Sequence, residues 1–129
     1  MNYGATCAIR HELYVDLKMT LSEIKSHFRK SYKSLINKGS RLGTIEVFGV
    51  KTESKVWNEF QNFHVQISGK RTRSIESWDI QYLMIKEDQG FLVVLRDFEK
   101  RMIGGGYFIC SKDEGVYAAP GDVGAGYEV

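Results

Sequence analysis

Three short apolar runs lie in the last third of the chain, at Phe91–Leu95, Met102–Cys110 and Val116–Ala119. Each run is too short for a helix, and polar linkers with charged residues separate them. This pattern predicts a meander of three antiparallel strands, with Pro120 as the stop of the last one. The last strand is then expected to be an edge of the sheet, and an exposed edge must be blunted or paired with something.

A helical pattern occupies the segment before residue 40. Thr20 followed by Glu23 fits a capping box, and Gly39 fits the residue just beyond a helix end. One helix over residues 20–38 is therefore predicted. Its apolar stripe consists of Leu21, Ile24, Phe28, Tyr32, Leu35 and Ile36.

Two further helices are predicted in the middle of the chain. The first begins at a cap formed by Thr52 or Ser54 and ends at Gly69, and the second begins at the cap Ser74. Their apolar positions are Val56, Trp57, Phe60, Phe63, Ile67, Ile75, Trp78, Tyr82 and Ile85. His64 lies among these aromatics, where we expect a packed core histidine.

Two more strands complete the prediction. His11–Leu17 alternates apolar and polar residues, and Thr44–Val50 is rich in β-branched residues. The order is strand, helix, strand, two helices and three strands, which predicts an α+β fold with helices packed on a mainly antiparallel sheet. We expect a single domain over residues 1–119 and a Gly-rich tail over residues 120–129.

The composition indicates the broad class of protein. The chain has 129 residues, 43% of them hydrophobic and 26% charged, as in ordinary soluble domains. No apolar run approaches the roughly 20 residues of a membrane span, and the first residues do not resemble a signal peptide. Cys7 and Cys110 are far apart, so we expect reduced thiols in a cytoplasmic protein with no metal site.

Charge is unevenly distributed. Residues 1–73 carry 13 Lys and Arg against 6 Asp and Glu, a net of +7, whereas residues 74–129 have a net of −5. Lys25, Arg29 and Lys33 form a basic row on the first predicted helix, which is one hypothesis for nucleic-acid binding. A solvated helix face explains the same row, and we favour it because no aromatic residue is interleaved there.

A small anionic ligand has a better candidate site. Arg71 and Arg73 lie in a basic connector directly before the Ser74 cap, and cations beside a helix start suit a phosphate or carboxylate. Trp78 and Gln81, on the first turns of that helix, would form the floor of the site. The alternative is a solvated connector.

The segment Arg101–Gly106 fits the R/Q-x-x-G-x-G/A pattern with which N-acetyltransferases hold the pyrophosphate of coenzyme A. That loop needs a helix to begin after the glycines. Here strand-like residues follow instead, so we interpret the glycines as sites of a strand bend, a bulge or close backbone approach. Cys110 is interpreted as a packing residue.

Several stretches together resemble FemAB-like proteins, a branch of the GNAT (N-acetyltransferase) superfamily that includes aminoacyl transferases. These are FRKSYKSLINKGSRL, WNEFQNFHVQISGKRTRSIESWDIQYLMI, GFLVV and MIGGGYFICSKDEGVYA. The resemblance covers roughly residues 13–119 and is one of pattern. It implies the front half of a GNAT-like domain, without the later helix and strands that bind the acyl donor.

On this resemblance we expect a binding or interaction module derived from an acyltransferase half domain, homodimeric through the C-terminal sheet edge and not catalytic, with no cofactor. One alternative is an acyl or aminoacyl transferase whose cleft is completed across a dimer. Acyl-CoA would then be the donor, Arg71 and Arg73 would bind it, and Tyr107 or Tyr117 would line the cleft. Nucleic-acid binding is the third hypothesis. Short proteins of this kind also resemble products of mobile gene cassettes.

Overall fold

The computed structural model describes residues 14–122, with side chains for residues 14–118. The chain divides into two compact units, Met1–Lys38 and Gly39–Val129. The predicted α+β class is confirmed, because the described residues form four helices and one four-stranded antiparallel sheet. None of these helices is long and apolar enough to cross a membrane.

The first unit contains α1 (Leu21–Ser26) and most of α2 (Lys30–Gly39). The predicted capping box is confirmed, because Thr20 Oγ1 accepts from the Glu23 N–H at 3.2 Å and the Glu23 carboxylate accepts from the Thr20 N–H at 2.9 Å. The prediction of one continuous helix is wrong. The chain leaves the helix at His27, whose N–H bonds back to the Ile24 carbonyl, and Gly39 is the last helical residue.

The predicted first strand is not found in the part of it that is described. Residues 11–13 lie outside the described range, and residues 14–17 are not in a strand. The Asp16 carboxylate accepts from the Lys18 N–H at 2.9 Å, and the Asp16 carbonyl accepts from the Met19 N–H at 3.3 Å. Such local bonds from an aspartate favour a turn over an extended strand.

In the second unit, two helices lie between the first and second strands along the chain. Its elements are β1 (Gly43–Phe48), α3 (Ser54–Ser68), α4 (Ile75–Lys86), β2 (Gly90–Asp97), β3 (Met102–Cys110) and β4 (Gly115–Asp122). The strand order is β1-β2-β3-β4, and every pair is antiparallel. The predicted meander is therefore confirmed.

Pro120 does not end the last strand, contrary to the prediction. β4 continues to Asp122, and Pro120 lies opposite Gly106 of β3. Among residues 14–122, β4 pairs with β3 alone. A proline is tolerated in an edge strand, because its missing N–H need not serve a second neighbour.

The two middle helices begin and end mostly as predicted. Gly69 ends α3 with a φ of 71°, and Ser74 Oγ accepts from the Ser77 N–H at 3.2 Å to cap α4. The cap predicted at Thr52 or Ser54 is wrong. Glu53 occupies that position without a side-chain bond, because the Thr52 hydroxyl donates to the Gly49 carbonyl instead.

The core of this unit lies between the two helices and one face of the sheet. It consists of Trp57, Phe60, Phe63, Trp78, Ile85, Leu92, Val94 and Tyr107. Ile67 and Ile75 had been predicted on the inner stripes, but both are exposed. The interior is therefore aromatic on the helix side and largely aliphatic on β2.

The glycines of β3 allow close contacts from both sides of the sheet. A Cβ on Gly105 would lie 3.0 Å from Phe60 Cε2, and one on Gly106 would lie 2.5 Å from Tyr117 Cε2. Residues 104–106 lie inside β3, which confirms the prediction that these glycines belong to a strand and open no helix. The predicted close approach occurs at both glycines, through aromatic rings and, at Gly105, also through the Val93 carbonyl at 3.2 Å. The predicted bulge has its counterpart in a register shift opposite Gly104 and Met102.

A row of stacked aromatic rings crosses the opposite face of the sheet. Phe91 stacks on Phe108 at a ring-centroid distance of 4.9 Å, and Phe108 stacks on Tyr117 at the same distance. One side chain comes from each of β2, β3 and β4, so the row joins the three strands of the meander.

Candidate ligand-binding site

The site is built around the cation that precedes α4. Arg73 lies at the end of the connector, and one of its Nη2 protons is donated to the Ala118 carbonyl of β4 at 3.0 Å. The guanidinium carbon lies 5.9 Å from the centre of the Trp78 ring. Arg73 therefore joins the start of α4 to the edge strand, with an aromatic face beneath its charge.

A β-bulge sets the Ala118 carbonyl for this contact. Tyr107 lies opposite Ala119, whereas Phe108 lies opposite Tyr117, so Ala118 is the extra residue in β4. Bulges change the direction of a strand locally and recur beside binding sites. Here the bulged residue accepts the hydrogen bond from Arg73.

Two tryptophans bring α3 and α4 together beside Arg73. The Trp57 Nε1–H donates to the Trp78 carbonyl at 3.1 Å, and the two rings lie 5.5 Å apart. His64, two turns further along α3 than Trp57, packs edge-on against Trp78 at a centroid distance of 5.2 Å. The three aromatic side chains form the wall of the site.

Three buried polar atoms of this region have no hydrogen-bond partner among the described residues. They are Nδ1 of His64, Nε1 of Trp78 and Oε1 of Gln81. Trp78 is 1% exposed and Gln81 is 7% exposed. More than nine in ten buried polar groups are normally paired, with protein or with ordered water, so these three atoms call for a partner that the described residues do not supply.

His64 has an electrostatic environment that favours its neutral form. Partial burial lowers the pKa of His64 below its ordinary value, and the positive charge of Arg73 lowers it further. The imidazole is therefore neutral at pH 7 and can accept or donate through Nδ1, depending on its tautomer. This residue had been interpreted from sequence as a packed core histidine; its contacts with Trp78 and Phe60 confirm the packing, but the unpaired nitrogen was not foreseen.

Tyr107 closes the inner end of the cluster. Its hydroxyl donates to the Gln81 carbonyl at 3.3 Å and lies 3.6 Å from Met84 Sδ. Burial raises the pKa of Tyr107, and the nearby Cys110 raises it further. The phenol is therefore protonated at neutral pH, and its hydroxyl is engaged with α4.

Of the six residues predicted for ligand binding, Arg73 contacts the Trp78 ring, and the Tyr107 hydroxyl bonds to the Gln81 carbonyl. Arg71 is exposed on the connector. Tyr117 stacks on Phe108 and so lies on the sheet face opposite Tyr107, because successive side chains of a strand alternate between faces. Neither Arg71 nor Tyr117 joins the cluster.

The basic row predicted for nucleic acid does not lie on a continuous helix. Lys25 lies in the last turn of α1, Arg29 lies in the break, and Lys33 belongs to α2. The Lys33 ammonium donates to the Ser26 carbonyl at 3.4 Å, across the break. The four-residue spacing in sequence therefore does not correspond to one straight row.

The structure contains a second polar cluster that the sequence did not predict. Arg96 of β2 forms ion pairs with Glu46 of β1, at 2.6 Å, and with Glu59 of α3. The Arg96 side chain is 14% exposed, and the hydrogen bond to Glu59 is the main cause of its raised pKa. Sequence offers no signal for this cluster, because its members come from three elements 13 to 50 positions apart.

A surface cleft of about 600 Å³ lies beside this triad. Its charged lining residues are Glu46, Glu53, Glu59, Lys55, Arg96 and Lys100. Three carboxylates oppose three cations, and Arg96 is already saturated by two carboxylates. The cleft therefore favours neither an anion nor a cation. No group of three or more His, Cys, Asp or Glu within residues 14–122 is placed to hold a metal.

Comparison with protein-family models gives no match for this chain, and comparison with curated proteins gives none either.

Proposed function

We propose that this chain is a binding module that takes a small anionic ligand at the cluster of Arg73, His64, Trp78 and Gln81. The three unpaired buried polar atoms beside one cation are the observation that carries the proposal. Arg73 supplies five N–H donors, of which the described residues use one. A ligand carboxylate or phosphate would occupy further donors of Arg73 and would bond to the Trp78 N–H.

The resemblance to FemAB-like GNAT proteins supports the same kind of role. Among the stretches that carry it, residues 69–81 are those that build the connector and the first turns of α4. We propose a module derived from the front half of such an acyltransferase, which binds a ligand without catalysing acyl transfer.

Thermal unfolding in the presence of anions tests the binding role. Acetate and inorganic phosphate, added at low ionic strength, should raise the melting temperature of the full chain. Arg73→Gln should abolish the rise, whereas Lys70→Gln, which removes an exposed charge from the same connector, should preserve it. The rise should shrink as salt is added, because salt screens charge interactions. An unchanged melting temperature with both anions would refute the proposal.

Homodimerisation through the edge strand is a second candidate, favoured by the exposure of β4. Val116 is 53% exposed and Tyr117 is 55% exposed, and among the described residues only one side of β4 is paired. Pairing two copies of β4 around a two-fold axis would extend the sheet and cover these side chains.

Light scattering on the purified protein tests the dimer. A dimer is expected at high micromolar concentration, and Val116→Lys should shift it towards monomer without altering the circular dichroism spectrum. Loss of the fold in Val116→Lys would mean that this strand is interior. A strictly monomeric wild-type protein would refute the edge-pairing arrangement.

Acyl transfer across such a dimer is the alternative that we favour less. Tyr107 is buried and bonded to α4, and Tyr117 lies on the other face of the sheet, so the two tyrosines do not line one cleft within a single chain. Under this alternative, acyl-CoA should raise the melting temperature of the wild-type protein, Arg73→Gln should abolish the rise, and acetate should not produce it.

Nucleic-acid binding at Lys25, Arg29 and Lys33 would require a mobility shift with tRNA at low salt.

A further inference from the structure

We propose that the outer edge of β1 binds an extended peptide segment of another protein, which pairs with β1 as an added strand and lies along the cleft beside Arg96. The peptide alternates apolar and polar residues and carries a lysine opposite Glu46. This interaction surface goes beyond the anion site at Arg73 and does not depend on it.

The backbone of β1 offers an open edge for such pairing. Among residues 14–122, β1 pairs with β2 and with no other strand. It is six residues long, contains no proline, and keeps an unbroken register with β2 from Gly43 to Phe48. In an antiparallel pair, alternate residues direct their N–H and C=O groups away from the partner strand. The outer side of β1 therefore presents a regular row of backbone donors and acceptors, which an extended peptide matches.

The cleft gives the inward side chains of the peptide a place to lie. It has a volume of about 600 Å³, and its lining includes Thr44 and Glu46 of β1 together with Lys55, Val56 and Glu59 of α3. The cleft thus lies between the edge strand and the first half of a helix. Every second side chain of a strand added to β1 would point into this space, because successive side chains alternate between the faces of a sheet.

The charges of the cleft favour a peptide over a small ion. Its three carboxylates balance its three cations, and a peptide backbone is itself uncharged and bonds through N–H and C=O groups. Arg96 uses one oxygen of the Glu46 carboxylate, at 2.6 Å, and leaves the other oxygen to a further donor. A lysine directly across from Glu46 would supply that donor, since opposite charges at facing positions stabilise neighbouring strands.

The opposite face of the sheet accounts for the apolar residues of the peptide. Ile45 and Val47 alternate with the cleft-lining residues of β1, and each of the two is 67% exposed. An added strand would place its own β-branched side chains beside them and would cover part of their apolar surface. The segment that fits this edge therefore has one apolar face and one polar face.

A synthetic peptide of sequence TVKVTVKV with blocked ends is the probe. It should be titrated into the full, isotope-labelled chain, and amide hydrogen exchange should be followed by NMR. Alternate amides of β1 should exchange more slowly when the peptide is bound, because only those N–H groups face away from β2. The isomer VVVVTTKK has the same composition without the alternation, and it should not produce this protection.

Two variants locate the peptide on the sheet. Val47→Lys should weaken the dissociation constant about fivefold, as expected for the loss of one apolar cross-strand pair, and should leave the circular dichroism spectrum unchanged. Val116→Lys is the matched control, because Val116 is an exposed valine of β4, the strand at the other end of the sheet. It should leave the dissociation constant unchanged.

Several results would overturn the proposal. These are absence of binding, equal binding of the two peptides, protection of β4 amides in place of β1 amides, and wild-type affinity in Val47→Lys. Protection of the same β1 amides in the concentrated protein without peptide would overturn it as well, since a second copy would then occupy the edge. Acetate and phosphate test the anion site separately, so the two proposals can fail independently.

Discussion

Replacing Gln81 by methionine should stabilise the protein, although Gln81 is a buried polar residue. Its side-chain oxygen is buried with no partner among the described residues. Such a group lowers stability by about 1–3 kcal/mol relative to a paired one. Methionine has a similar length and a similar helix propensity, so Gln81→Met removes the unpaired oxygen with little other change.

We expect the free energy of unfolding to rise by about 1 kcal/mol in Gln81→Met, measured as a higher urea midpoint with an unchanged slope. Thr52→Val is the matched control. Thr52 is also buried, but its hydroxyl donates to the Gly49 carbonyl, so this variant should lose about 1 kcal/mol. If Gln81→Met instead lost stability as Thr52→Val does, the amide would be paired in the free protein and the site would lose its main support.

Three further predictions concern other parts of the structure. Lys100 has a φ of 65°, which side chains disfavour, so Lys100→Gly should raise the free energy of unfolding by about 0.5 kcal/mol, seen as a higher urea midpoint; a lower midpoint would contradict this. Arg96→Met leaves Glu46 and Glu59 without their cation and should lower the free energy of unfolding by about 1–2 kcal/mol, a value between those of exposed and buried ion pairs. The loss should be smaller in high salt. An unchanged urea midpoint would show that the triad contributes nothing to stability. The folded-state pKa of His64 lies below its ordinary value of 6.5, so the stability that the protein has above pH 6.5 should fall as the solution is acidified towards the folded-state pKa. Urea titrations at pH 7.5 and pH 5 measure this fall, and His64→Phe should make it smaller. An unaltered pH dependence in His64→Phe would show that another group causes it.

Much of the second unit was predictable because its signals are local. Ser74 and Gly69 are strong helix boundaries, and the three apolar runs after residue 90 are separated by turn residues. Both kinds of signal act over a few neighbouring residues. The tertiary structure then agrees with them.

The errors occur where a side chain makes a different local bond from the one expected. Thr52 has the right identity for a helix cap, but its hydroxyl bonds back to Gly49. Asp16 follows an alternating pattern, yet its carboxylate bonds two residues ahead and forms a turn. The apolar stripe after Thr20 continues across His27, so periodicity alone could not reveal the break between α1 and α2.

The candidate site was predictable only in part. Arg73, Trp78 and Gln81 lie close in sequence around a helix start, and that proximity was the signal. Tyr107 joins them from β3, and Ala118 from β4, through the pairing of strands. Burial is decided by the whole core, so the unpaired atoms of His64 and Gln81 could be recognised only once the helices were in place.

The pairing of Trp57 with Trp78 has a practical consequence. These are the only two tryptophans of the sequence, and their indole rings lie side by side at the proposed site. Light at the long-wavelength edge of protein absorption excites almost only tryptophan, so the fluorescence that it excites must come from these two rings. The protein thus carries its own optical probe, and a change in emission colour or intensity would report on this region without any attached dye.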